Sequence, residues 1–129
     1  MEQGKILDVY AQLKRIYRNL DATMDLSRQM AEAVDRDDQV TVQMLLAMRE
    51  EPIRELTNAR EVLKQQIAAS APEDAKRLRA ILNGEATEAA EEEHVLVNQV
   101  AANQRLLEQV QQLDKILNQK ISREKSIYQ

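Results

Sequence analysis

The sequence predicts an all-α protein, an antiparallel helical hairpin followed by a long C-terminal helix, together an elongated bundle of three to four helices. Three observations carry that expectation. The 129 residues hold only two Gly and two Pro, so turns are few and elements long. Apolar residues make up 43% of the chain and recur at three- and four-residue steps over most of its length. Aromatic content is 2%, so the core must be aliphatic; Leu, Ile and Val supply about a quarter of the chain, above the level at which chains stay disordered. The length suits a single helical domain, 1–129.

The first helix is expected over about 5–35. Ile6, Leu13, Leu20, Ser27 and Val34 repeat every seven residues, with Tyr10, Tyr17, Met24 and Ala31 four residues later. Val9, Ile16, Thr23 and Met30 widen this into a stripe broad enough to meet more than one neighbour. Asp35-Arg36-Asp37-Asp38 ends it, because a short carboxylate competes for nearby backbone donors; Asp37 or Asp38 then caps the second helix. So short a connection implies an antiparallel hairpin.

The second helix is expected over about 39–69. Val42, Leu46, Ile53, Leu56, Leu63 and Ile67 form its apolar row with Leu45 and Ala59 beside them, and Arg49 and Arg60 hold two positions in that row. Pro52 removes a backbone donor and crowds the carbonyl four residues back, so a kink or break near Met48 is expected.

Ser70-Ala71-Pro72-Glu73 reads as a capping box that starts a third helical stretch, 71–125. Asn83-Gly84 is either a C-cap that breaks it or a weak point inside one helix; the helix formers from Glu85 to Ala90 favour continuity. A continuous stretch would span roughly 80 Å, against roughly 45 Å for each arm of the hairpin. The hairpin could not cover it. Its far part carries an apolar row, Leu96, Val100, Asn103, Leu106, Leu107, Val110, Leu113, Leu117 and Ile121, which becomes the expected partner-binding surface. Asn103 within that row is either an edge residue facing water or a buried polar group that fixes register. Glu85 to Glu93 are acid-rich and Lys115, Lys120, Arg123 and Lys125 basic, an order that suits the helix dipole.

Composition excludes several functions. Eighteen Lys and Arg against 22 Asp and Glu give a net charge of −4, which argues against nucleic acid. Without Cys there are no disulfides, thiolate metal sites or Cys nucleophiles. No apolar run approaches the ~18 residues a membrane span needs. Gly4 and Lys5 lead into a charged periodic segment rather than a signal peptide, so the cytoplasm is the expected compartment. Glu91-Glu92-Glu93-His94 has the Glu-x-x-His spacing of di-iron bundles, but His94 is the only histidine and those sites need two such pairs. Ser27 lies in a helix stripe, Ser70 at a cap, Ser122 and Ser126 near the end, and Gly4 and Gly84 are isolated. The expectation is no catalytic residue, no metal and no cofactor. Met24, Met30, Met44 and Met48 gather where the first two helices meet, as core filling or as an adaptable binding face. Tyr10 and Tyr17 suit a helix–helix edge with wet hydroxyls, and Tyr128 a terminal anchor.

The pattern resembles the small flagellar type III export chaperones, the FlgN type that serves hook–filament junction proteins and its relative that serves the filament cap. Leu26-Ser27-Arg28-Gln29-Met30-Ala31, the turn Asp35-Arg36-Asp37-Asp38 and Leu45-Leu46-Ala47-Met48-Arg49-Glu50 are similar to that family's helix, acidic turn and helix ending in Arg-Glu. Leu78-Arg79-Ala80-Ile81-Leu82-Asn83 resembles the start of its next helix, and Val97-Asn98-Gln99 to Ile121, with Tyr128 beyond, its client-binding helix. The resemblance implies a cytoplasmic chaperone that shields the helical C-terminal segment of a hook-associated or cap subunit and helps deliver it to the export apparatus. The alternative is a structural or regulatory coiled coil that homodimerises through the same row. On either reading, Val110→Asp with Leu117→Asp should remove binding and leave the melting of the first two helices nearly unchanged.

Overall fold

The computed structural model describes residues 1–128, with side chains through Arg123. The side chains of Lys125, Ser126 and Tyr128, to which the sequence assigns a basic end, a tail hydroxyl and an anchor, lie outside the described residues. The fold is all-α: α1 Gln3–Asp35, α2 Gln39–Ala68, α3 Pro72–Leu82, a single 3-10 turn Glu91–Glu93 and α4 His94–Tyr128. No described helix is long and apolar enough to cross a membrane.

The hairpin forms as expected, for local reasons. At the end of α1, Asp37 adopts φ 58°, the left-handed conformation that short polar side chains tolerate. Its N–H then donates to Val34 O (3.0 Å) and that of Asp38 to Ala33 O (2.9 Å), which satisfies the last helical carbonyls. Asp38 caps α2: its carboxylate accepts from the Thr41 N–H at 3.1 Å and the Thr41 hydroxyl at 2.6 Å. Those bonds hold the Asp38 carboxyl below its ordinary range. Arg15 binds Glu55 at 2.6 Å, and Gln66 donates to Asp8 O, so the two arms run antiparallel.

Pro52 does not break α2. It is buried on the hairpin face, between the anchored Leu45 and the buried Leu56, Ala59 and Leu63. Packing on both sides of the missing hydrogen bond holds the helix through it. Leu46 and Ile53, expected in the buried row, are 40% and 44% exposed on its flank.

The third stretch is not continuous, which corrects the expectation. Asn83 is a C-cap and Gly84 takes φ +73°, so Gly84 N–H donates to Ile81 O and Glu85 N–H to Ala80 O. This backbone closure satisfies the carbonyls of α3, and Glu85–Ala90 are non-helical despite their propensity. Ser70 is not the cap either: Ala71 occupies that position, and the Ser70 hydroxyl donates back to Gln66 O in α2. Gly84→Ala is expected to lower stability by about 1 kcal/mol, since a Cβ there is strained by φ and meets the Gln104 amide at 3.3 Å. Urea unfolding followed by circular dichroism measures it.

The break changes the packing of everything downstream. α4 begins beside the start of α1 and runs parallel to it. Asn103 reaches Leu13 and Lys120 reaches Asp35. α1 has 33 residues and α4 has 35, about 50 Å each, so α1 lies beside α4 along most of its length. α1 is the central helix, with α2 and α4 packed on it and not on each other. The short α3 lies against α2 and α4. One core joins Val9, Leu13, Leu20, Leu63, Leu78 and Leu96, among others; a second, at the hairpin end, holds Met30, Val34, Leu45 and Leu117.

Candidate partner-binding groove

The row on α4 that the sequence leaves uncovered is the monomer's own core. Leu96 is 0% exposed and Leu117 2%. Val100, Val110 and Asn103 are buried too, while Leu106, Leu107, Leu113 and Ile121 are half-buried against the same cores. Neither a client nor a second copy finds a free stripe there. The expected mismatch in length depended on a continuous 71–125 helix, and the break at Gly84 removes it.

Asn103 takes the buried alternative. Its Nδ2 donates to Leu13 O at 3.0 Å, and its Oδ1 accepts from Gln99 at 2.9 Å. A satisfied polar group inside an apolar seam penalises sliding, so this bond sets the register of α4 on α1. The methionines divide: Met24 and Met30 fill core, whereas Met44 and Met48 are 54% and 51% exposed, beside Val40 at 82%. Tyr10 and Tyr17 are half-buried as an edge requires, and the Lys14 ammonium lies 5.4 Å from the Tyr17 ring centre.

What remains open is a groove. Because α2 and α4 flank α1 without touching, the fourth corner of the bundle is filled only where α3 lies. Beyond Leu82 of α3, a recess of about 180 Å³ opens over Leu13, Ile16 and Leu20 of α1, with Leu63 of α2 and Leu107 of α4 as apolar walls. Arg60 and Gln104 stand at its rim. Further towards the hairpin turn, Leu46 and Ile53 line a shallow apolar shelf on α2 with Arg49 and Glu50. The facing flank of α4 there is polar, through Gln111, Lys115 and Asn118.

One side-chain bridge joins the two walls. Arg49 binds Asp114 at 3.2 Å and its second guanidinium nitrogen lies 3.9 Å from the Met30 sulfur. Arg49 Nε and Asp114 Oδ1 are buried without a partner. An ion pair left half satisfied in this way gives little net stability for its desolvation, so it is a weak strut between the walls.

The acidic block holds one residue that the sequence reading missed. Glu93 is 7% exposed and accepts two hydrogen bonds from Arg77, at 2.9 and 3.0 Å, and one from the Ala90 N–H at 2.9 Å. The Arg77 bonds, above all, hold its carboxyl below the ordinary range. Arg77 also donates to Thr87 O, so the pair clasps the turn between α3 and α4. The available signal was the position of Glu93 three residues after a helix start at Ala90, which a uniform acidic run hides. His94 is exposed, and no cluster of three or more His, Asp or Glu among the described residues could hold a metal ion. The chain matches no known protein-family model, no characterised protein and no solved structure.

Proposed function

We propose that this protein is a non-catalytic, helix-binding chaperone, with the export of flagellar hook-associated or cap subunits from the cytoplasm as its context. The observation that carries the reading is the half-filled fourth corner of the bundle. An amphipathic helix laid along Leu13, Ile16 and Leu20 would bury its apolar face between α2 and α4, the helix-in-groove mode. The resemblance of the hairpin and of α4 to the flagellar chaperones supports the client class. The client's place shifts from the α4 row to the groove.

The test is a titration of labelled peptides from the C-terminal segments of hook-associated and cap subunits. Leu46→Asp with Ile53→Asp alters two exposed groove residues and is expected to weaken binding at least tenfold with an unchanged thermal melt. Wild-type affinity in that variant would remove the groove from the reading. A second copy of the chain is the weaker candidate. The exposed strip Val40, Met44 and Met48 covers three turns of one helix, well short of the roughly 800 Å² per partner that a stable interface takes.

A further inference from the structure

The open part of the groove differs in charge from the rest of the chain. The molecule carries a net charge of −4. Six charged side chains border the recess, the α2 shelf and the facing flank of α4: Arg49, Arg60, Lys115 and Arg123 against Glu50 and Asp114. Arg49 and Asp114 neutralise each other at 3.2 Å. Three cations then remain against one anion, and among the described residues Arg60, Lys115 and Arg123 are in no ion pair. All three are exposed at the rim, where they can meet charge on a ligand without a burial cost.

The chain itself shows what kind of object fits this corner. α3 occupies its other half with an amphipathic helix, whose Ala75, Leu78 and Ile81 turn inward at three-residue steps. Its Arg77 pairs across to Glu93 beside α4, so the corner recognises a helix by an apolar face plus charge at the flank. Lys115 and Arg123 are eight residues apart, about 12 Å along α4, which carboxylates spaced seven or eight residues apart on a neighbouring helix would match.

We propose that the groove beyond α3 selects an acidic amphipathic helix, its apolar face on Leu13, Ile16 and Leu20 and its carboxylates against Arg60, Lys115 and Arg123. This rests on the helix-binding reading and adds the charge of the partner. The net negative charge of the chain works against general attraction of an acidic ligand, so a preference for acid must come from the rim.

Two labelled 18-residue helical peptides test it on the full chain by fluorescence anisotropy at physiological salt. Both carry the same leucine face; one bears Glu on its polar face, the other Lys. The Glu peptide is expected to bind at least tenfold more tightly. Arg60→Glu with Lys115→Glu and Arg123→Glu should abolish or invert that preference with an unchanged melt. Equal affinities, tighter binding of the Lys peptide, or a preference that survives the triple reversal would overturn the acidic selection while leaving a helix-binding groove. Binding of neither peptide would overturn the groove reading and this proposal together.

Discussion

Val110→Asp combined with Leu117→Asp is expected to unfold the chain. The two residues belong to different cores, Val110 with α1 residues such as Leu20 and Met24, Leu117 with Met30, Val34 and Leu45. They are 6% and 2% exposed. An unpaired carboxylate in such surroundings costs several kcal/mol, whether it stays charged or takes up a proton. Two of them reach the whole stability of about 5–15 kcal/mol typical of a small domain. Far-UV circular dichroism against temperature and urea should show no cooperative transition, or one at a greatly reduced midpoint. This reverses the expectation from the sequence, which keeps the hairpin intact in that variant. α1 cannot keep its own core when the helix that covers half of it is driven off. A melt within a few degrees of the parent chain would mean that the α4 row is free after all, and the client stripe would return.

The second large effect lies at Glu93. Glu93→Ala removes three hydrogen bonds to a buried carboxylate and should cost about 2 kcal/mol, because Arg77 can recover part of the loss by turning to water. The pH dependence follows in sign. The folded state holds the carboxyl below its ordinary value of 4.5, chiefly through Arg77, and the unfolded chain does not. The fold therefore favours the ionised form. Its contribution is complete above about pH 4.5 and is lost as pH falls through the depressed folded value. Asp38 has the same sign through Thr41 and stays in the variant, so only part of the acid sensitivity should disappear. Urea midpoints of the parent chain and Glu93→Gln at pH 7, 5, 4 and 3 measure this. The gap should be widest at neutral pH and close towards pH 3; curves that fall in parallel would mean that Glu93 is not the coupled group.

The groove was partly legible. Arg49 and Arg60 stand out in the sequence as charges in an apolar row, and one strap across the walls while the other sits at the rim. Leu46 and Ile53 were visible as apolar but not as exposed. Pro52 lies inside the hairpin face, so the row turns around it, and only the position of α1 decides which flank is covered. The floor residues Leu13, Ile16 and Leu20 read as ordinary core, because nothing in α1 itself records that its neighbours stand apart.

Local chemistry settled the helical class, the single hairpin, the Asp38 cap and the aliphatic stripe of α1. Each depends on residues no more than about four positions away, and periodicity and capping report those directly. The fate of α4 did not depend on α4. One positive φ at Gly84 returns the chain to the start of α1, so the same leucines and valines that a straight rod would leave bare become core. Burial belongs to the path of the whole backbone, and a side chain's own sequence neighbours cannot tell it which helix will lie alongside.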